Sequence, residues 1–547
     1  MTSISPPAPQ TRDSPLVKAL AQALPKDFHC TAWHLSTTPT ITEALCCPPA
    51  LNSTSINRPI KPLKTYCEKH FLAVSITDPT KAQDVLVLGL EIFVYTTSFS
   101  TAIFVAKADS TGYLQPQSTP KGFSSIRAIT VAFLNFLIEH RRRPSKQLII
   151  NLFARAQSQY LFPGSVKNDK KHILDDRGLI KWWCKALNPF LEDDAQNNPA
   201  RNWDRVHGYL LVPGLDDYET RAFVPRSEDA TRNWSLGHPL ELISPYTKDS
   251  TNYGNVPPRC LIPTYPDDPK ARFVEELEES TSETTKLARG WKTPKTLDQF
   301  WEMMAFRQEC SSGRMTGFVW LVFEPPPTST YSQHPYSNTA GSNSADSLPT
   351  PAASLRGTPD HADSPSTPKK SNKNNPPSLG ILTSSPSISI SASSKPPRQK
   401  CRAKKVLKGP ILPRQPRVKT NRVKFPNRIE TPYYYWPDAG RGRVVLDDNG
   451  YKRAVELLLH LEFKGLEQAI ASTSRWTGEV NMGEDWALPI IGEKVIPDKS
   501  AASAHLKTVN NLAGSIQRKR KSEDKLSKGN ASASINTLDG GLVRKKK

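Results

Sequence analysis

Two adjacent carboxylates, Asp267 and Asp268, stand between two prolines in the sequence PDDPKARF at residues 266–273. The prolines stiffen the backbone, and Pro269 suits the first position of a helix. Neighbouring carboxylates repel each other, which favours proton uptake by one of them, so that such an Asp could accept a proton from an ammonium group. Capping of the helix is the alternative, and the spacing by itself favours it.

Three lysines and a histidine follow a predicted strand within residues 153–183, FARAQSQYLFPGSVKNDKKHILDDRGLIKWW. Lys167, Lys170 and Lys171 lie in a loop just before a predicted helix, where they could receive a pyrophosphate. A lysine run is more often solvated surface, which is the alternative. His172 could act as a base, although a hydrogen-bonded structural histidine is the more common case.

The helix after these lysines is predicted to begin near Asp175 or Asp176, either of which could cap it. Leu179 and Trp183 share one face at four-residue spacing, whereas Trp182 points about a hundred degrees away. One indole can therefore pack in the core while the other lines a cleft along which the methylenes of a lysine slide.

A third candidate is the segment KADSTGY at residues 107–113, which leaves an apolar strand. Asp109 at the strand end could face a cleft, and the following Ser-Thr-Gly could offer backbone N–H groups to phosphate. The alternative is a turn in which Asp109 accepts hydrogen bonds from neighbouring amides, and the spacing favours it. The glycines are too few for a dinucleotide or Walker loop.

The elements that must position these residues follow from hydrophobic periodicity. The pattern predicts an antiparallel meander of three strands at 71–77, 84–95 and 101–107, with the nearly all-apolar second strand at its centre. Residues 125–141 form a helix with cations at its C-terminal end. Further strands are expected at 148–153 and 317–323. Further helices are expected at 16–24, 270–279, 295–310 (with Thr293 and Pro294 at its start) and 450–472.

Residues 25–63 show no clear pattern and are interpreted as loop, and Trp234 is predicted to anchor the core. The strongly apolar face of the helix at 450–472 requires a partner surface, so we expect it to pack back on the N-terminal body. The intervening Ser- and Pro-rich residues 325–397 offer little apolar surface to bury and are predicted to be disordered. The expected divisions are a lead at 1–15, a catalytic body at 16–324 completed by 429–490, an insert at 325–428 and a tail at 491–547.

The net charge of +21 is carried mainly by two basic runs. Residues 398–428 contain 12 Lys and Arg and no Asp or Glu, and residues 518–547 contain 10 basic and 3 acidic residues. Such runs attract nucleic acid nonspecifically, or acidic proteins, in a salt-sensitive way. Residues 518–521, RKRK, resemble a nuclear import signal. No apolar stretch is long enough for a membrane span, and the N-terminus lacks a signal-peptide core, so we expect no membrane association.

The cysteines are scattered and contain no Cys-x-x-Cys pair, which is typical of a reducing compartment. A zinc site would need four N or S ligands in closely spaced pairs. Buried free thiols are the favoured interpretation, and no metal is expected. The cluster considered for zinc consists of His29, Cys30, His34, Cys46, Cys47, Cys67 and His70.

Together with FVAKADSTGY at 104–113, the segments at 153–183 and 266–273 resemble the fungal histone acetyltransferases of the regulator-of-Ty-transposition family, in the family's order. The resemblance covers residues 63–323 and resumes weakly at 428–478. It implies a CBP-type acetyltransferase-like fold, mixed α/β with a central, partly antiparallel sheet flanked by helices.

The resemblance also implies a set of site residues. Trp183 corresponds to a residue that shapes the lysine channel, Asp268 to the proton acceptor, and Lys270 to a buried lysine that becomes autoacetylated. Residues 115–121 lengthen one loop, Gln157 replaces a small residue, and a basic regulatory loop is absent, so these features depart from the family pattern. The acetyl-coenzyme A contacts implied are Ala108, Asp109, Ser110, Phe123, Ser124, Ser125, Ile126, Arg127, Phe153, Gln157, His172, Ile173, Leu174 and Trp182.

The implied activity is acetyl transfer from acetyl-coenzyme A to lysines of histone H3, in the nucleus. Newly synthesised H3–H4, presented by acidic histone chaperones of the nucleosome-assembly and anti-silencing types, would be the substrate, with roles in chromatin assembly, replication and the DNA damage response. A non-enzymatic chromatin scaffold that acts through the basic runs is the alternative, and it would bind no acetyl-coenzyme A. A kinase is disfavoured because phosphate-loop and metal-binding aspartate motifs are missing.

Overall fold

The computed structural model describes the chain in nine segments, and the account below is confined to them. They are residues 14–49, 61–114, 122–192, 202–247, 256–281, 291–312, 314–326, 428–481 and 486–496. The insert at 325–397, both basic runs and the loop at 115–121 therefore lie wholly or mainly outside the described residues.

One sheet of eleven strands organises these segments, and the predicted mixed α/β fold with a central, partly antiparallel sheet is confirmed; most of its strand pairs are antiparallel. Its strands are β1 (His29–Thr37), β2 (Thr40–Thr42), β3 (Thr65–Asp78), β4 (Gln83–Thr96), β5 (Ser100–Ser110), β6 (Gln147–Ala154), β7 (Arg205–Leu211), β8 (Trp234–Leu236), β9 (Gly317–Glu324), β10 (Val444–Leu446) and β11 (Leu488–Ile491).

The strand order is β10-β1-β3-β4-β5-β6-β9-β7-β8, with β11 paired to β1 and β2 paired to β3. The meander β3-β4-β5 is antiparallel as predicted. Three pairs are parallel, namely β1 with β10, β5 with β6, and β7 with β8. Helix α2 (Ser125–Arg141) supplies the crossover between β5 and β6 that a parallel pair requires.

The other helices are mostly short. They are α1 (Pro15–Ala23), α3 (Asp176–Leu187), α4 (Asp217–Arg221), α5 (Glu228–Asn233), α6 (Leu240–Ile243), α7 (Pro258–Leu261), α8 (Pro269–Glu279), α9 (Leu297–Ser312), α10 (Asp448–Leu459) and α11 (Leu466–Asn481). None of the helices in the described segments is long and apolar enough to cross a membrane.

Two apolar cores lie on opposite faces of the sheet, as strands β6 and β9 show by their alternation. On β9, Val319 and Leu321 enter the larger core, whereas Phe318 and Trp320 enter the smaller one. Successive side chains of a strand point to opposite faces, so both faces here are covered. Helices α2 and α3 belong to the larger core, and α8 and α9 belong to the smaller one. Trp234, predicted as a core anchor, is 2% exposed.

Four predictions about the fold were wrong. Residues 25–63 contain strands β1 and β2, and α9 begins at Leu297 instead of directly after Pro294. The backbone N–H of Phe300 and that of Gln299 are donated to Thr296, which therefore starts the helix. Residues 491–496, assigned to the tail, belong to the folded body, because Glu493 and Lys494 donate their N–H groups to Ala21 and Leu24.

The fourth error concerns the helix predicted at 450–472, which is two helices, α10 and α11. Helix α10 ends at Leu459, and Phe463 in the connection donates its N–H to the carbonyl of Pro163 at 2.8 Å. The Phe463 ring packs edge-on against Phe162, with ring centroids 4.9 Å apart. Periodicity did not reveal the break because two residues of the connection, Leu461 and Phe463, are buried, and Phe463 keeps the apolar spacing while it leaves the helix.

Both C-terminal helices pack on the sheet. Trp476 of α11 is fully buried against Trp33 of β1 and Phe71 of β3, each with ring centroids 6.2 Å from its own. Thr473 of α11 accepts the backbone N–H of Leu86 in β4 at 2.9 Å. These contacts place residues far apart in the sequence in one core.

A buried charge cluster fastens the segment before β10 to the same body. The guanidinium of Arg141 donates to both carboxylate oxygens of Glu68, at 2.8 and 2.6 Å, and to the carbonyl of Gly440 at 2.7 Å. The indole N–H of Trp436 donates to Glu68 at 3.0 Å. Burial acts to raise the pKa of Glu68, but the charges of Arg141 and His70 outweigh it and hold the pKa at about 2.

We expect Glu68→Gln to destabilise the protein by about 3–5 kcal/mol, because it leaves the buried Arg141 without its counter-charge. The matched control is Glu467→Gln, which removes an exposed pair with Lys81 and should change stability by less than about 1 kcal/mol. Chemical denaturation at pH 7 measures both.

The pH dependence of this difference follows from the lowered pKa of Glu68. The carboxylate stabilises the fold above its ordinary pKa of 4.5, and this contribution is lost as the pH falls toward 2. The difference in the free energy of unfolding between the wild type and Glu68→Gln should therefore become smaller as the pH falls across that range. A gap that stays constant down to pH 2 would contradict the role given to Glu68.

Candidate active site

The carboxylate of Asp109 holds the loop that follows β6. One of its oxygens accepts three consecutive backbone N–H groups, from Tyr160 at 2.7 Å, Leu161 at 2.9 Å and Phe162 at 3.3 Å. The other oxygen accepts the Nζ of Lys171 at 2.9 Å. The same oxygen accepts the adjacent N–H of Ser110 at 2.8 Å, as the turn interpretation expects, whereas the three loop amides lie some fifty residues away in the chain.

Lys171 differs from the other two lysines of its loop. Its side chain is only 5% exposed, and its Nζ also contacts the hydroxyl of Ser165 at 2.8 Å. Lys171 is therefore occupied within the protein, which contradicts the interpretation of all three lysines as phosphate ligands. Lys167 and Lys170 are exposed. Gly112 (φ +86°) allows the close approach, because a Cβ there would lie 2.6 Å from the Lys171 backbone.

Helix α3 begins as predicted, with Asp175 as N-cap accepting the N–H of Gly178 at 2.7 Å. Asp176 accepts the N–H of Ala156 at 2.7 Å and that of Met315 at 3.1 Å, so it fixes the helix start against β6 and β9. These caps set the direction in which the two tryptophans of the helix project.

The two indoles of α3 are perpendicular, with centroids 4.9 Å apart. Trp183 is 5% exposed, whereas Trp182 is half-buried at the edge of the larger core. One indole therefore packs in the core, as predicted, while Trp182 keeps an accessible face; that this face lines a lysine cleft stays a prediction.

Asp268 and Lys270 form a buried ion pair at the start of α8. Asp268 is fully buried, and Lys270 is 1% exposed. One oxygen of Asp268 accepts the backbone N–H of Lys270 at 3.0 Å, and the other contacts the Lys270 Nζ. The Nζ also lies 4.7 Å from the ring centre of Phe318 and 5.9 Å from that of Tyr265. Asp268 therefore caps the helix, as the alternative interpretation expects, and at the same time neutralises a buried cation.

Asp267 differs from Asp268 in its exposure to solvent. It is exposed, and its backbone adopts a left-handed conformation with φ +59°. The hydroxyl of Tyr160 donates to its Oδ2 at 3.4 Å. Burial, followed by the negative charge of Asp267, raises the pKa of Tyr160 to about 12. The loop held by Asp109 thus reaches the pair of carboxylates, so the structure joins all three motifs through direct contacts.

The remaining predicted residues occupy the neighbouring elements. Ala108 and Ser110 lie at the C-terminal end of β5. Ser124 caps α2 by accepting the N–H of Arg127 at 3.3 Å. Ser125 is buried, whereas Gln157, His172 and Ile173 are exposed. The half-buried ones are Phe123, Ile126, Arg127, Phe153 and Leu174.

Sequence reasoning missed Glu91, a buried carboxylate in β4 that pairs with Lys107 at 2.6 Å. A signal was present, since Glu91 interrupts the apolar run of the predicted central strand. Of the cysteine and histidine cluster, His34 and His70 are buried and stacked, with ring nitrogens 3.0 Å apart. Within the described segments, no group of three or more His, Cys, Asp or Glu side chains is arranged to hold a metal ion.

The Histone acetyltransferase KAT11-type domain matches residues 16–148 and 144–479, which carry all the elements of this site. The chain belongs to the KAT11-type histone acetyltransferase family. It is thus an acetyltransferase, and acetyl-coenzyme A is the acetyl donor that such a domain implies.

Relatives from three fungi agree with this assignment. Histone acetyltransferase rtt109 of Aspergillus flavus is 35% identical over 545 residues, which cover 94% of this chain and 90% of the relative. The protein of the same name from Schizosaccharomyces pombe is 30% identical over 249 residues, 44% of this chain and 58% of the relative. The crystal structure of Rtt109 from Aspergillus fumigatus superposes with a TM-score of 0.60 at 32% identity, covering 88% of this chain and all of that one.

We expect Asp109→Ala to weaken acetyl-coenzyme A binding and to lower stability together. The substitution removes the acceptor of three loop amides and leaves the buried Lys171 unpaired, which costs about 3–5 kcal/mol. Asp169→Asn, at an exposed position of the same loop, is the control and should leave both properties unchanged. Calorimetric titration and thermal melting provide the readouts. Wild-type affinity in the Asp109 variant would remove this carboxylate from the donor site.

Proposed function

We propose that the chain acetylates lysine side chains of histone H3, using acetyl-coenzyme A. The observation that carries the proposal is the contact of the loop held by Asp109 with the carboxylates at the start of α8, on a chain of the KAT11-type family. The family supports histone acetylation in general. The narrower choice of H3 as the substrate, in the form of newly synthesised H3–H4, rests on the resemblance to the fungal family.

Acetyl-coenzyme A supplies a thioester. Residues of this chain suited to hold it include the half-buried Trp182, the exposed Ile173 and the exposed lysines Lys167 and Lys170. Apolar surface next to cations matches a ligand with both acyl and phosphate parts. Ser125, predicted as an acetyl-coenzyme A contact, is buried, so it would support binding indirectly by fixing the position of α2.

The acceptor lysine must first lose a proton, because its pKa of about 10.4 keeps it charged at neutral pH. We assign proton acceptance to Asp268, directly or through a water molecule. The neutral amine then attacks the thioester carbonyl, the C–S bond breaks, and coenzyme A leaves as the thiol after its sulfur takes the surplus proton of the attacking nitrogen. Backbone amides near the acyl group stabilise the oxyanion. Trp183 supports the acceptor channel from the core side.

The ion pair with Lys270 bears directly on this role. An Asp268 oxygen that holds the Lys270 ammonium group is already occupied and is not free to approach the acceptor lysine. Acetylation of Lys270 removes the positive charge and leaves that oxygen available. Autoacetylation of Lys270 would therefore support activity, as the resemblance implies.

Nuclear localisation, acidic histone chaperones as partners and nonspecific contact with nucleic acid are further parts of the proposal. The basic runs that motivate them lie outside the described residues. The scaffold alternative makes no use of a donor site, so acetyl-coenzyme A binding separates the two.

The function is tested by mass spectrometry of H3–H4 after incubation with this protein and acetyl-coenzyme A, with and without chaperones of the two types. New acetyl groups on H3 lysines are expected, increased by a chaperone. Acetylation of other histones alone would overturn the choice of H3, and binding of histones without acetylation would favour a scaffold.

We expect Asp268→Asn to lower kcat by about 10²–10⁴-fold, the usual effect of losing a general base, with little change in acetyl-coenzyme A affinity. The matched control is Asp267→Asn, because Asn tolerates the left-handed backbone and keeps an acceptor for Tyr160. Steady-state kinetics across neutral pH should show that the control retains most of its rate. The reverse order of the two effects would assign proton acceptance to Asp267.

Peptide mapping of active protein should find Lys270 acetylated, whereas protein with Asp268→Asn should carry an unmodified Lys270. The reason is that self-transfer needs the same proton acceptor as transfer to histone. Fully active enzyme with unmodified Lys270 would show that the charge of this lysine does not limit catalysis.

A further inference from the structure

Glu91 is a buried carboxylate with two partners from different parts of the chain. It is 3% exposed in the middle of β4, where the register with β5 shifts between Glu91 and Ile92. Its Oε2 contacts the Nζ of Lys107 in β5 at 2.6 Å. Its Oε1 accepts the hydroxyl of Tyr451 in α10 at 3.2 Å. Helix α10, which comes after residues 327–427 in the sequence, is therefore hydrogen-bonded to strand β4 within the sheet.

Lys107 continues this chain of contacts toward the site. Its Nζ lies 5.9 Å from the ring centre of Tyr160, close enough for attraction between a cation and an aromatic face. Tyr160 in turn donates its hydroxyl to Asp267, next to Asp268. Successive pairwise contacts thus connect Tyr451 to the start of α8, by way of Glu91, Lys107 and Tyr160.

Attachment of the C-terminal helices does not require these polar groups. Trp476 and Thr473 already join α11 to the sheet. This ion pair is partly buried, with the Lys107 side chain 22% exposed, and such a pair adds little net stability because the charges give up part of their hydration. What the pair does provide is a fixed direction for the Lys107 cation, and this cation faces the ring of Tyr160.

We propose that Tyr451, Glu91 and Lys107 are positioning residues, which hold Tyr160 and through it Asp267 at the acceptor side of the active site. This inference rests on the proposed roles of the carboxylates at the start of α8. The C-terminal part of the chain then contributes to the rate of acetyl transfer as well as to folding.

The first test compares Tyr451→Phe with Thr473→Val in the full-length protein. Each substitution removes one buried hydroxyl through which a C-terminal helix bonds β4, but only Tyr451 leads to Tyr160. We expect Tyr451→Phe to lower kcat by about two- to tenfold, the effect of one hydrogen bond, with acetyl-coenzyme A affinity unchanged. Thr473→Val should lower the melting temperature but keep the wild-type kcat below that temperature.

The second test is a double-mutant cycle of Glu91→Gln and Lys107→Met. The single changes leave a charge without its partner, whereas the double variant removes both charges and should recover most of the lost stability. We expect the double variant to melt near the wild type and still to show the reduced kcat, with KM for acetyl-coenzyme A unchanged. A structural pair would instead recover rate and stability together.

The outcomes separate this inference from the proposed function. Full kcat in Tyr451→Phe, an equal loss in Thr473→Val, or recovery of the rate in the double variant would each overturn the positioning role. A wild-type protein that transfers no acetyl group to H3–H4 would overturn the proposed function. Full activity of both Asp267→Asn and Asp268→Asn would overturn the assignment of the site on which the inference rests.

Discussion

The candidate active site depends on one carboxylate that satisfies the backbone of an irregular loop. Residues 160–162 belong to neither helix nor strand, and buried N–H groups without partners would destabilise the loop. Asp109 accepts all three of these N–H groups and is balanced by Lys171 from the far end of the same loop. With this loop in place, Tyr160 reaches Asp267, and the connection between α10 and α11 docks at Pro163.

Local sequence patterns predicted those strands and helices whose apolar spacing can be seen within the element itself. The meander β3-β4-β5, helix α2 and the starts of α3 and α8 agree with prediction because their apolar spacing and caps lie within a few residues. Strand β1, HCTAWHLST, was missed because its buried positions include a histidine, serine and threonine, so its burial does not follow its composition.

The site was predicted less completely, since its decisive contacts join residues that are distant in sequence. Nothing near Lys171 distinguishes it from Lys170, yet one is buried on Asp109 and the other is exposed. In the same way, Asp268 was expected both as a cap and as a base, and only the fold shows that it also neutralises Lys270. Composition identifies such groups as candidates, and long-range packing decides what each one contacts.

The outer edge of β1 has a consequence for how the chain is made. This strand pairs with β3 on one side, while its other side is covered at residues 29–32 by β11 and at residues 35–37 by β10. A bare strand edge is a template for pairing with other chains. Because synthesis runs from the N-terminus, β1 emerges among the first elements, whereas both covering strands are among the last. Throughout translation of the intervening four hundred or so residues this edge stays open, so the nascent chain carries an aggregation-prone edge until β10 and β11 have been made.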